Sequence, residues 1–193
     1  MMRPGALLLA AALLMTAVSG GVVAREMSRV GVHQGYAPVQ PIAFSHKLHA
    51  GDSQIPCLYC HFGARTSRHA GIPPLNVCMN CHSILTKQTA EIEKLKEAVQ
   101  RGQPIAWTKV HNLPDFVYFS HSQHVTGGVA CTACHGPVET MARVRQDAPL
   151  TMGWCLDCHK KRGPDLLRAR QAALKRGDPR APLPGLDCGK CHY

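Results

Sequence analysis

All ten cysteines of the chain fall in five copies of one pattern, and every copy ends in histidine. They read Cys57-Leu-Tyr-Cys60-His61, Cys78-Met-Asn-Cys81-His82, Cys131-Thr-Ala-Cys134-His135, Cys155-Leu-Asp-Cys158-His159 and Cys188-Gly-Lys-Cys191-His192. Disulfide pairs or zinc sites would also use paired cysteines, but neither calls for a histidine after the second one each time. With 12 histidines in 193 residues, chance fills all five places roughly once in a million chains. C-x-x-C-H is the attachment signature of c-type haem: the thiols form thioethers and the histidine becomes the proximal iron ligand. The expectation is five covalently attached haem c groups and a role in electron transfer.

That density limits the fold. Past residue 24, 169 residues serve five haems, about 34 each, too few for an ordinary core around every ring. Aromatic residues make up only 5% of the chain, against 17 glycines and 14 prolines. The haem rings must therefore supply most of the apolar surface. The fold class expected is mainly α with much irregular structure and little or no sheet. It is a multihaem cytochrome c fold wrapped around five haems, preceded by one N-terminal membrane helix.

Arg3 is followed by an apolar run from Ala6 to Ala24, broken only by Thr16, Ser19 and two glycines. Val22-Val23-Ala24 is a loose version of a cleavage site, but 19 residues is long for a signal core and close to a bilayer span. The expectation is a retained helix (1–24) in the cytoplasmic membrane, a linker over 25–43, and a haem domain over 44–192 on the periplasmic side. Haem is joined to these motifs on that side.

The formal charge of +10 would by itself suggest a nucleic-acid or membrane-surface partner. Five haems bring ten propionates and five ferric centres, leaving the assembled protein at about +5. Many Lys and Arg are then propionate partners or solvated surface, and no nucleic-acid role is expected.

A repeat organises the haem domain. Phe44-Ser-His46-Lys-Leu-His49 lies just before the first motif, and Phe119-Ser-His121-Ser-Gln-His124 just before the third. Each is followed by a Pro-Leu pair, Pro74-Leu75 or Pro149-Leu150, and a second motif. The half-repeats are 44–82 and 119–159, with the fifth haem at 188–192. Between them, Thr86 to Arg101 reads as an amphipathic helix with Ile92, Leu95 and Val99 on one face and Gly102 as its cap. A second helix is expected from Asp165 to Arg176, ended by Gly177. An extended connector follows over 178–185.

With His61, His82, His135, His159 and His192 as proximal ligands, seven histidines remain for the opposite faces. His46 and His49 are three apart, as are His121 and His124, so each pair projects from one side of a helical turn. Trans ligands approach one iron from opposite faces. Each pair must therefore serve two different haems. The fifth distal position has four candidates: His69, His111, Met141 and Met152. A methionine would raise that haem's potential, although packing against a haem edge is the ordinary use of such a residue. His33, near the linker, is not expected to be a ligand.

The paired F-S-H-x-x-H units resemble class III multihaem cytochromes. A closer likeness lies in Ala70-Gly-Ile-Pro-Pro before Cys78, in Val110-His111-Asn-Leu-Pro-Asp-Phe-Val-Tyr-Phe-Ser-His121, and in Leu150-Thr-Met-Gly-Trp-Cys155. Over roughly residues 40 to 192 these look like the pentahaem cytochrome c subunit of alternative complex III. The resemblance implies a non-catalytic relay subunit of a membrane-bound quinol oxidoreductase in a respiratory or photosynthetic chain. Its partners would be an iron–sulfur, molybdopterin-like subunit, polytopic quinol-oxidising subunits and a monohaem cytochrome c. It also implies two histidines on most irons and His/Met on one.

A free or tethered periplasmic carrier is the main alternative. A multihaem enzyme would need an open iron, and seven spare histidines for five haems argue against one. Because the chain cannot offset its ordering entropy alone, the haem-free protein is expected to lack a cooperative melting transition in calorimetry. A compact apoprotein with a sharp transition would contradict this.

Overall fold

The computed structural model describes residues 4–27, 30–177, 185 and 187–192. The chain divides into two units, Met1–His33 and Gln34–Tyr193. The first contains helix α1, Pro4–Met27, whose segment Leu7–Met27 is long and apolar enough to cross a membrane. A signal sequence has the same character. The helix continues past Ala24, through Arg25 and Glu26, because these residues are good helix formers.

In the second unit, every C-x-x-C-H motif lies in a helical turn. These are α2 (Cys57–Cys60), α3 (Leu75–His82), α6 (Thr132–His135), the start of α7 (Met152–Lys175), and the 3-10 turn Cys188–Lys190. Between α3 and α6 stand α4 (Ala90–Gln100) and α5 (His121–Thr126). A π-helical turn, Lys47–Asp52, follows His46, and 3-10 turns span Phe62–Arg65 and Val138–Thr140. Strand-like pairing among the described residues is one antiparallel bridge, Val117 with His192. Mainly helical and irregular structure, with little sheet, is what the sequence predicts.

Helix α4 starts later than expected. Thr89 is extended and its hydroxyl accepts the Ile92 N–H at 3.3 Å, so it caps the helix where Thr86 does not. The buried face is Leu95 and Ala98, while Val99 is 38% exposed. At the other end Gly102 adopts φ +62°. The Gln103 N–H reaches the Ala98 carbonyl and the Gly102 N–H that of Val99, a Schellman closure. The helix expected from Asp165 instead runs through from Met152 with Pro164 inside it. Proline forfeits one backbone bond, but its φ is helical and the haem-motif turn before it is already formed. Gly177 does close the helix region, at φ +78°. The expected connector over 178–185 lies outside the described residues except for Gly185.

From Gln34 onward the expected linker is stitched to the haem domain. The Gly35 N–H donates to the Gln146 carbonyl at 2.7 Å, and the Gln146 N–H to the Tyr36 carbonyl at 3.0 Å. Gln40 exchanges side-chain bonds with the Thr108 backbone, and the Ala43 N–H donates to the Glu91 carboxylate.

The buried apolar residues among those described are Ala64, Leu95, Ala98, Met141 and Ala148. Three of the five are alanines, so the chain's own core offers little hydrophobic stabilisation. Backbone contact therefore matters at specific points. The π-helical turn packs on the Val138–Thr140 turn so closely that a Cβ at Gly51 would collide with the Glu139 carbonyl oxygen. That oxygen is backbone and cannot swing aside. Gly51→Ala is expected to destabilise the holoprotein by about 1–3 kcal/mol, read as a lowered Tm; an unchanged Tm would remove this contact from the account.

Candidate haem sites

The two F-S-H-x-x-H segments build the same local structure. Phe44 stacks on His49 at 4.3 Å between centroids and meets His46 edge-on at 4.9 Å. Phe119 does the same to His124 at 4.5 Å and to His121 at 4.8 Å. The second histidine of each pair donates from Nδ1 to the carbonyl of the serine four residues earlier: His49 to Ser45 and His124 to Ser120, both at 2.8 Å. Phenylalanine, serine carbonyl and both histidines thus form one orienting device, repeated.

Each of the four rings faces the histidine of a different motif. His46 lies 6.4 Å from His61 and His121 lies 6.3 Å from His135, with ring planes 4° and 7° apart. His49 lies 6.1 Å from His82 and His124 lies 6.0 Å from His159, now with planes inclined at 54° and 69°. Two imidazoles bound on opposite sides of one metal, at about 2 Å each, hold their ring centroids roughly 6 Å apart. All four spacings fit one metal centre between the rings.

The other ring nitrogens support the same arrangement. His61 donates from Nδ1 to the Gly71 carbonyl at 2.7 Å, and His121 to the Arg68 carbonyl at 2.9 Å. His159 has the Gly185 carbonyl at 3.2 Å. A proton fixed on Nδ1 leaves Nε2 free as a metal ligand and sets the ring's direction. His135 differs: its Nδ1 partner, at 3.0 Å, is Nε2 of His111. Among the described residues, the buried Nδ1 atoms of His46 and His82 have no hydrogen-bond partner.

Burial also keeps several of these rings in the neutral, ligand-competent form. It pushes His46 down to about 4, with His61 and His49 adding to the effect. It takes His135 to about 4 as well, helped by His111, His121, His61 and His46. His82, His111 and His124 are lowered, first by burial and then by neighbouring histidines; in His124 the bond to Ser120 opposes the shift.

The motifs also touch one another. Asn80 of the second donates to the Tyr59 hydroxyl of the first at 3.0 Å. The Cys131 thiol is raised by burial and then by the neighbouring Cys57. Cys134 is raised by burial and then by Cys158 and Cys155, and Cys155 by burial and then by Cys191. Ten thiols in five helical turns, each turn followed by a histidine that in four of the five faces a second histidine, fit covalent haem as a donor set.

The remaining candidates separate. Met141 is 3% exposed and its carbonyl accepts the Lys47 N–H at 2.9 Å. Met152 is 64% exposed at the first residue of α7. His69 is exposed between the first two motifs. His111 is engaged with His135. Among the described residues, no histidine faces His192 at the spacing of the other four pairs; Phe116 stands 5.6 Å from its ring. Sequence reading missed Phe44 and Phe119, whose repeat was visible but whose stacking was not. It also missed Gln146, fully buried, whose Oε1 accepts the Asn112 N–H at 2.9 Å.

Residues 123–193 match the cytochrome c3 family, and the opposed histidines of the fold are consistent with a cytochrome c3-like multihaem domain there. The chain is also similar to the multihaem cytochrome c subunit of menaquinone reductase from Nitratidesulfovibrio vulgaris, at 37% identity over 97 residues. That match covers 50% of this chain and 45% of the relative, so the chain spans about half the length of the relative it matches.

If the opposed rings share irons, His46→Ala and His49→Ala should each open one haem, and a different one. Carbon monoxide is expected to perturb one haem's spectrum in each single variant and two haems in the double. A single perturbed haem in the double variant would contradict the bridging arrangement.

Proposed function

We propose that this chain is the electron-relay subunit of a membrane-bound, quinone-linked oxidoreductase. It carries five covalent haems, held through Cys57/Cys60, Cys78/Cys81, Cys131/Cys134, Cys155/Cys158 and Cys188/Cys191. The proximal ligands are His61, His82, His135, His159 and His192. The distal ligands of the first four are His46, His49, His121 and His124 respectively. For His192 the candidates are Met141, Met152 and His69, since His111 is engaged with His135.

One observation carries the reading: the five motifs form a contiguous series in space, in the order second, first, third, fourth, fifth. Asn80 and Tyr59 join the second to the first. The Arg68 and Ser67 carbonyls after the first motif accept the His121 and Ser122 N–H groups of α5, and Cys57 meets Cys131. The turn carrying His121 and His124 spans the third and fourth. The fourth reaches the fifth through His159 and Gly185.

Bound c-type haem supplies one-electron exchange between ferric and ferrous iron. The chain's part is to hold each ring, fix its ligands, and keep neighbours close. Opposed ligands on at least four sites favour relay over substrate chemistry, which needs an open position.

The relative's name links a multihaem cytochrome to menaquinone, and the motif resemblance points to alternative complex III. Both support a quinone-active membrane partner. The finer reading is an alternative complex III-type assembly, with polytopic quinol-oxidising subunits, an iron–sulfur subunit and a monohaem cytochrome. In this reading α1 anchors the chain in the cytoplasmic membrane and the haem domain stands on the periplasmic side.

Mild detergent extraction is expected to recover the chain with a polytopic and an iron–sulfur partner, and added quinol should reduce its haems. Recovery as a free soluble protein would favour the independent carrier and overturn the relay assignment. Haems that stay oxidised with quinol in the intact complex, yet are oxidised by quinone after chemical reduction, would reverse the proposed direction.

A further inference from the structure

His111 is one of four sequence candidates for a fifth distal ligand, but its contact is with the back of another proposed ligand. Its Nε2 lies 3.0 Å from Nδ1 of His135, with the two rings edge-on at 81° and 4.3 Å between centroids. His135 also has the His121 ring at 6.3 Å between centroids, with planes 7° apart. The ring of His135 therefore has two distinct neighbours: a near-parallel imidazole at 6.3 Å and a perpendicular one hydrogen-bonded at Nδ1.

We infer that His111 is a positioning residue that accepts the Nδ1 proton of His135 and lowers the reduction potential of the third haem. This rests on the haem reading above. When Nε2 of a neutral imidazole binds iron, the ring's proton is on Nδ1. His135 must then be the donor and His111 Nε2 the acceptor. An acceptor at Nδ1 makes the imidazole a stronger electron donor. That favours ferric over ferrous iron.

The other proximal histidines give this contrast its meaning. His61 and His159 use backbone carbonyls, of Gly71 and Gly185. His135 is given an imidazole nitrogen, a more basic acceptor than an amide oxygen. The residue is also held in place. Next to it, the Asn112 N–H donates to the side chain of Gln146 at 2.9 Å. Gln146 is fully buried, and its amide donates to the Ala148 carbonyl at 3.1 Å. The backbone of Gln146 is in turn bonded on both sides to Gly35 and Tyr36. The loop bearing His111 is thus fixed by a residue with no other evident use.

The test compares two substitutions in the holoprotein. His111→Phe keeps the ring and removes the acceptor; His111→Gln keeps an acceptor. Redox titration should show one of five couples shifted upward in His111→Phe. A tenfold change in its reduction equilibrium, about 59 mV for one electron, is the expected scale. His111→Gln should restore most of it.

Haem content and insensitivity to carbon monoxide should be unchanged in both. Five unmoved couples in His111→Phe would overturn the inference, and so would a newly carbon monoxide-reactive haem, which would make His111 an iron ligand. If His111→Phe does not accumulate, the wild-type protein decides. Its His135 Nδ1 proton must appear in the NMR spectrum as a hyperfine-shifted resonance protected from exchange, and a rapidly exchanging proton would refute the bond. Failure of the haem reading itself is distinguishable. In that case Cys131→Ala with Cys134→Ala would leave the haem content unchanged.

Discussion

The constraint on which the rest depends is trans coordination: two ligands on one iron must come from opposite faces. Two histidines on one side of a helical turn cannot meet that demand at a single iron, so the turn must reach two. In this chain the turns at His46/His49 and His121/His124 face His61/His82 and His135/His159, at centroid spacings of 6.0 to 6.4 Å. Each turn is therefore a proposed cross-link between two haem sites, made through metal rather than through an apolar interface. The near-parallel ring planes in the first pair of each half and the inclined planes in the second recur in both halves. The repeat thus extends to ligand orientation.

This explains how so small a core can serve so many sites. A chain with Ala64, Leu95, Ala98, Met141 and Ala148 as its buried apolar residues cannot be held by hydrophobic burial alone. In the proposed haem ligation, covalent attachment and axial bonds would tie segments that are distant in sequence. Hydrogen bonds join the halves, as where His121 reaches back to Arg68, and Tyr118 ties in Cys191 of the fifth motif. The same contacts that hold the fold set the order of the motifs, so structure and the proposed relay rest on one set of interactions.

Part of the site was legible in the sequence because the pattern is local. His-x-x-His predicts two separate partners, and the rings of His61 and His82, and of His135 and His159, stand opposite. What was not legible depends on contacts between segments far apart. The order of the motifs rests on Asn80 with Tyr59, Cys57 with Cys131, and His159 with Gly185, and no spacing predicts these. His111 carried a genuine ambiguity, since a spare histidine in a haem protein is as good a ligand as a partner until its neighbour is known. Helix ends failed for a similar reason. Thr86 and Thr89 are both capping residues, and the hydrogen bond to Ile92 decides between them. Phe44 and Phe119 were visible as repeated letters, but only their stacking on His49 and His124 gives the letters a role.

The central claim is that each His-x-x-His turn supplies two different irons. An experimental density map of the intact membrane complex tests it most directly, by showing which imidazoles enter each haem. The account requires His46 and His49 on the haems of His61 and His82, and His121 and His124 on those of His135 and His159. A map in which either turn contributes a single ligand, with its partner histidine turned away from iron, would contradict it.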